Sequence, residues 1–336
     1  MKFTYLTIPV FQDIIFNYKI PKALTGSLER KKIMLNQLIS TLLPHMPEKL
    51  VWQFSKQYIA GETIDDAVRA ADELNRQGIG TTIDLLGEFI KTPEEARANK
   101  NRYLDVIEAV RDAGVDGNYS LKPTFFGLLF DKQTAFNHIR EIVSKAASYN
   151  HFVCIDMEDT PCTDMEIELF RQLKQEFPGN VGLVFQAYLK RTHRDIMDVK
   201  DLNSPDLPLN LRLCKGIYVE PAKLAYQSYE KINENYLKNL ELMFKEKMYP
   251  AIATHDIRLV EGAYQLIEKY GFQKDRYEFQ MLFGVTPGLR RSIIEKGHQM
   301  RVYIPFGKQW FGYCTRRIKE NPRIGRLAVK AIFFRG

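Results

Sequence analysis

Residues 80–122 read GTTIDLLGEFIKTPEEARANKNRYLDVIEAVRDAGVDGNYSLK. A short apolar run at Thr81–Leu86 gives way to a helical stretch opening near Thr92. A second short run then comes at Asn118–Lys122. Strand, helix and strand in this order form a βαβ unit, and such units build parallel sheets. The rhythm continues downstream. Further strands are predicted at Phe152–Asp156, Gly182–Tyr188, Leu211–Lys215, Ala251–Thr254, Glu278–Leu282 and Val302–Ile304. Helices are predicted to begin at or near Asp131, Thr163, His193, Ala222, Ile257, Thr286 and Gln309. Eight βα units in succession predict an α/β fold closed into a (β/α)8 barrel of the TIM type, with an open doubly wound sheet as the alternative.

Upstream the alternation is absent. Residues 1–60 read as helical, with Leu50–Ile59 open to either helix or buried strand. A clear helix is predicted over Ile64–Gln77, capped by Thr63 and stopped by Gly78. With no repeat and no low-complexity linker, the expected division is a helical N-terminal extension over 1–78 and a catalytic barrel over 79–336.

Composition narrows the function. The 336 residues are 45% hydrophobic, ample for one large core. The net charge of +7 is spread among 41 acidic residues, without a run of five or six like charges. Nucleic acid is therefore not an expected partner. Cys154, Cys162, Cys214 and Cys314 have no C-x-x-C spacing and read as reduced thiols. No signal peptide opens the chain, and no apolar run reaches the roughly 18–20 residues of a membrane span. A cytoplasmic protein, or one lying peripherally on the inner face of the cell membrane, is expected. The tail Pro322–Gly336 mixes Arg323, Arg326, Lys330 and Arg335 with Ile324, Leu327 and Phe333 at roughly helical spacing. It suits either a final helix packed on the barrel or a membrane surface.

In a barrel, function gathers at the C-terminal ends of the strands. The residues there are unusually polar: Asp84 and Glu88, Lys122, Asp156 with Glu158 and Asp159, Gln186, Arg212 with Lys215, Thr254 with His255, Gln280, and Tyr303. The acids after strand three read as a helix N-terminus or as part of a site. His255 is the one histidine at a predicted strand end, so no metal site is expected. Arg212 and Lys215 lie three apart. If Lys215-Gly216 belongs to the following loop, both cations can turn toward one anionic ligand, with Gln186, Thr254 and His255 nearby. That set suits a pyrophosphate and its sugar, or an ion-pair layer of the barrel.

On the last helix, Tyr313, Arg316, Arg317 and Glu320 recur at i, i+3, i+4 and i+7, which places them on one face. Such a face is either a solvated ion-pair surface or a clamp for a small carboxylate. Gly78-Ile-Gly80 ends a helix and precedes a strand, the reverse of a dinucleotide fingerprint. No Walker loop or G-x-S-x-G is present, so a bound dinucleotide would not sit in a Rossmann domain.

The segments AGETIDDA, TIDLLGE, YSLKPT, IDMEDT, FQAYLKRT, RLCKGIY, IATHD, YEFQMLFGV and RVYIPFGKQWFGYCTRRIKEN, in this order, resemble the proline dehydrogenase family. The resemblance is to the FAD-dependent barrel enzymes, particularly the bacterial monofunctional form, and runs from about Phe54 onward. It implies oxidation of L-proline to 1-pyrroline-5-carboxylate, the first step of proline degradation to glutamate, with FAD as cofactor and electrons passing to a membrane quinone. By match of position, Asp156, Arg212 and Tyr303 are implied as catalytic. Lys122, Arg316 and Arg317 would hold the substrate carboxylate, with Tyr218, Leu282 and Tyr313 around the ring and Glu88 pairing with the first clamp arginine. Met157, Gln186, Arg212, Lys215, Gly216, Ile217, Thr254 and His255 would contact the flavin. Arg212 beside the flavin would favour its reduced, negatively charged form. Ile217 stands where the family usually has a smaller residue, while Cys214 and Asp256 read as ordinary variation. No aldehyde dehydrogenase module is recognised, so a separate dehydrogenase is expected to take the product. A flavoprotein of the same fold acting on hydroxyproline or another cyclic amino acid is the alternative.

Overall fold

A computed structural model of the chain describes residues 48–87 and 90–320, with the side chains of 51–53, 55–87 and 90–315. The compact unit Ser55–Cys314 holds the sheet. Eight strands form a closed parallel barrel in sequence order: β1 Gly80–Leu85, β2 Gly117–Leu121, β3 Val153–Ile155, β4 Val181–Gln186, β5 Asn210–Cys214, β6 Tyr249–Ala253, β7 Glu278–Leu282 and β8 Met300–Phe306. Ten helices are described: α1 Glu48–Ser55, α2 Ile64–Asn75, α3 Pro93–Asp112, α4 Lys132–Ser148, α5 Thr163–Glu176, α6 Thr192–Asp198, α7 Tyr229–Lys245, α8 Ile257–Tyr270, α9 Pro287–Glu295 and α10 Trp310–Glu320. The barrel closes where β8 pairs with β1, from Gly80 opposite Arg301 to Leu85 opposite Phe306.

Local chemistry explains most element ends. Thr63 caps α2 through a capping box. Its hydroxyl accepts from the Asp66 N–H at 3.2 Å, and the Asp66 carboxylate accepts from the Thr63 N–H at 3.1 Å. Ala67, Ala70, Ala71 and Leu74 form the buried face of that helix. They join the same core as the barrel and pack against β1 and β8 at the closing seam. Every residue of β4 is buried. Parallel strands covered on both sides read as continuous apolar runs for this reason.

Two expectations are corrected. The helix predicted from Ala222 begins at Tyr229, where the Ser228 hydroxyl accepts from the Lys231 N–H at 3.3 Å. The preceding segment turns its backbone hydrogen bonds to the loop after β4 instead. The Lys190 N–H donates to the Leu224 carbonyl at 2.9 Å, and the Tyr226 N–H to the Tyr188 carbonyl at 2.8 Å. The last strand, predicted to stop at Pro305, runs on to Phe306. Pairing with β7 ends at Tyr303, so the proline lies where only β1 remains as partner. A missing N–H is tolerated there.

Residues 1–47 of the extension predicted over 1–78, Glu88, the side chains of Arg316, Arg317 and Glu320, and the tail Pro322–Gly336 lie outside the described residues.

Candidate active site

Alternation along each parallel strand sends every second side chain into the barrel. At the C-terminal end this brings Asp84, Ser120, Lys122, Asp156, Arg212 and Tyr303 into one network. The Lys122 ammonium donates to Asp156 at 3.0 Å and to the Tyr303 hydroxyl at 3.2 Å, and lies 3.4 Å from Asp84. Tyr303 in turn donates to Asp156 at 3.3 Å. The other Asp156 oxygen accepts from the Ser120 hydroxyl at 2.6 Å and from the Arg212 guanidinium. Arg212 also donates to the Ser120 hydroxyl at 2.7 Å, and its guanidinium carbon lies 5.4 Å from the centre of the Tyr303 ring.

The network is mostly removed from water: the Arg212 side chain is 6% exposed and that of Lys122 21%. Burial and charge therefore decide its protonation. Burial opposes the charge of Lys122, but Asp84, Tyr303 and Asp156 around it hold the ammonium well above its ordinary range. Burial likewise raises Asp156, yet Lys122 and Arg212 outweigh it and keep this carboxyl below the usual range. Asp84 goes the other way, raised by burial that Lys122 only partly offsets. Burial, then Asp156 and Asp84, push the Tyr303 phenol well up. The site thus gathers two cations, Lys122 and Arg212, against the carboxyls of Asp156 and Asp84 at the barrel mouth.

The remaining sequence-predicted residues are engaged elsewhere. Lys215 lies in the loop after β5 and donates to Asp256 at 2.6 Å, whereas Arg212 is bound to Asp156. Gln186 is buried and donates to the Glu158 carbonyl at 2.7 Å. His255 accepts the Leu282 N–H on Nε2 at 3.1 Å, and its Nδ1 lies 3.0 Å from the Thr286 hydroxyl. Leu282 is partly buried, as is Tyr218, whose phenol is raised by burial first and then by Glu158. Met157 and Tyr313 are buried, and the Thr254 hydroxyl accepts from the Asp256 N–H at 3.1 Å. Gly216 has φ 107°, and a Cβ there would meet the Tyr188 ring at 2.1 Å. Ile217 is half exposed at 47%.

Sequence reasoning assigned no role to Ser120, and counted Asp84 only as one polar strand end. The signal for both was position: Ser120 shares a face with Lys122 by two-residue alternation, and Asp84 stands at the C-terminal end of β1 as Asp156 stands just past that of β3. Tyr103 carried no such signal, because it reaches the site from α3. Its hydroxyl donates to the Ser120 carbonyl at 2.7 Å and accepts the Leu85 N–H at 3.1 Å.

Comparison with known proteins shows what the whole chain is similar to. A family model described as proline dehydrogenase matches residues 67–325. The chain is similar to proline dehydrogenase of Deinococcus radiodurans, 33% identical over 306 residues, covering 90% of this chain and 97% of that one. It is also similar to proline dehydrogenase 1 of Bacillus subtilis strain 168, 36% identical over 278 residues, covering 83% and 90%. Among solved structures it is similar to proline utilization A of Bdellovibrio bacteriovorus inactivated by N-propargylglycine. The TM-score is 0.78 at 23% identity, over 88% of this chain and 37% of that longer one, a likeness of fold. The extent of the family match and the coverage of these relatives show that the chain belongs to the proline dehydrogenase family.

Proposed function

We propose that this protein oxidises L-proline to 1-pyrroline-5-carboxylate with bound FAD, the first step of proline degradation, and passes the electrons to a membrane quinone. The observation that carries the reading is the largely buried Lys122–Asp156–Arg212–Tyr303 network at the mouth of a barrel of this family, with Arg212 at its buried end. On this reading 79–336 is the catalytic part and 1–78 an extension. Lys122 binds the substrate carboxylate together with Arg316 and Arg317, with Glu88 pairing to Arg316. Tyr218, Leu282 and Tyr313 wall the ring. Asp156 holds Lys122 and Arg212 in register, and Tyr303 hydrogen-bonds between them.

The residues around the ends of β4 to β6 fit a flavin dinucleotide. Arg212 and Lys215 supply positive charge, and Gln186, Thr254 and His255 supply polar edges beside Met157, Gly216 and Ile217. Gly216 lies so close to the Tyr188 ring that a Cβ there would clash, which leaves bare backbone beside these residues for a ligand to approach. Both His255 nitrogens are held, by the Leu282 N–H and the Thr286 hydroxyl, which fixes the ring that would lie among the flavin's contacts. FAD, when bound, accepts the two electrons released as the C5–N bond of proline becomes a double bond. The protein orients the ring, and alignment of this kind supplies several kcal/mol, on the order of other orientation effects.

The test is the visible spectrum of the purified protein, followed by anaerobic addition of L-proline and trapping of the imine product. Bleaching by L-proline, with slower bleaching by hydroxyproline, is expected. A protein that takes up no flavin on reconstitution overturns the proposal, and faster bleaching by hydroxyproline transfers it to that substrate. Arg316→Met and Arg317→Met should each raise KM for proline by tenfold or more, since a charge-assisted hydrogen bond contributes about 1.5–3 kcal/mol. An unchanged KM removes the clamp.

A further inference from the structure

Glu158 plays no part in the network above, yet it is 8% exposed and makes hydrogen bonds in four directions. Its carboxylate accepts the Thr124 N–H at 2.9 Å and the Thr124 hydroxyl at 2.6 Å. Its own N–H is shared between the two oxygens of Glu166, at 3.0 and 3.2 Å, and its carbonyl accepts from Gln186. Glu166 is fully buried, and burial holds its carboxyl well above the ordinary range. Buried polar groups so fully paired fix local geometry rather than merely filling space.

What Glu158 fixes is the segment carrying Lys122. Lys122 has extended backbone, φ −91° and ψ 115°, and precedes a single 3-10 turn, Pro123–Phe126, that ends at Gly127 with φ 103°. Lys122 makes no side-chain hydrogen bond into that turn. Thr124, the residue gripped by Glu158, is the second of the turn. Asp156, two residues before Glu158, binds the Lys122 ammonium itself. The β3–α5 loop therefore holds Lys122 twice, at the ammonium through Asp156 and at the backbone through Glu158 and Thr124.

We propose that Glu158 is a positioning residue for substrate binding, acting through Thr124 on Lys122. The inference rests on the reading of Lys122 as a ligand of the substrate carboxylate. The probe is tetrahydrofuran-2-carboxylate, a ring carboxylate that lacks the amine and cannot form the imine. Its Kd is measured by calorimetry on the purified holoenzyme, with pyrrolidine, which lacks the carboxylate, as control. Glu158→Ala should weaken the carboxylate about tenfold and leave pyrrolidine binding and flavin content unchanged. Glu158→Gln should recover most of the loss, because one amide oxygen can accept the Thr124 N–H while the amide nitrogen donates to the Thr124 hydroxyl. In a Lys122→Met background, Glu158→Ala should add nothing, since residues acting through one another are not additive.

Full additivity, or a parallel loss of pyrrolidine binding and flavin, would overturn the proposal. If Lys122→Met weakens the carboxylate but Glu158→Ala does not, this proposal alone fails. If Lys122→Met itself changes nothing, the assignment of Lys122 fails and takes this one with it. Should Glu158→Ala not fold, Thr124→Val carries the same test. It removes one of the two bonds and should weaken the carboxylate about threefold, only when Lys122 is present; an equal loss with Lys122→Met, or no loss in either background, overturns the proposal.

Discussion

Replacing Asp256 tests whether the loop after β5 is held electrostatically. Asp256 caps α8, its carboxylate accepting the Arg258 N–H at 3.1 Å. Its other oxygen accepts from Lys215 at 2.6 Å, from Asn233 at 3.1 Å and from the Tyr229 hydroxyl. Burial alone would raise this carboxyl, but the donors outweigh it and lower it from 3.8 to about 2. The side chain is 12% exposed, so solvent screens the effect little. At roughly 1.4 kcal/mol per pH unit, the ionised form stabilises the folded protein by about 2 kcal/mol at neutral pH. Because the folded value lies below the unfolded one, this stability is present above pH 4 and is lost as pH falls toward 2. About half of it should remain at pH 3. Urea unfolding at pH 7 and pH 3 measures it. Asp256→Asn keeps an oxygen for the cap and should cost about 2 kcal/mol at pH 7, with the cost halved at pH 3. Asp256→Ala should add about 1 kcal/mol for the lost cap at both values. An Asp256→Asn cost that is negligible at pH 7, or equal at the two pH values, would refute the reasoning.

Three further outcomes are expected. Arg212→Met takes one of two cations from the partly buried Asp156 carboxylate, leaving Lys122 at 3.0 Å, and should lower stability by about 1.5–3 kcal/mol, read as a lower Tm. Tyr303→Phe keeps the ring but removes the hydroxyl between Lys122 and Asp156. Steady-state kinetics should show kcat/KM for proline falling about tenfold, about the contribution of one hydrogen bond to a charged group. Gly216→Ala puts a side chain at φ 107° and against the Tyr188 ring. Calorimetry should find it destabilised by about 1–3 kcal/mol.

Strand positions were legible in the sequence because strands buried on both faces read as continuous apolar runs between helical stretches. Seven of the eight helix starts were legible as well, as at Thr92 and Asp131, whose side chains cap α3 and α4. Ala222 misled because Pro221 and its neighbours resemble a helix start locally. Only contacts with Tyr188 and Lys190, more than thirty residues away, turn that segment into a loop. Pro305 misled because its cost depends on which neighbouring strand has already ended.

The residue types of the site were also legible: cations and acids at strand ends, with Tyr303 among them. Their pairing was not. Arg212 and Lys215, three residues apart, read either as a pair facing one ligand or as members of an ion-pair layer, and barrel closure gives each its own carboxylate, Asp156 for Arg212 and Asp256 for Lys215. Asp256, which reads as ordinary variation along the chain, becomes the centre of four hydrogen bonds. Local sequence thus determined which elements form and which chemistry stands at their ends, because periodicity and capping act over a few residues. The tertiary structure decided which charges meet. Partners such as Ser120 and Arg212 lie 92 positions apart and come together only when the barrel closes.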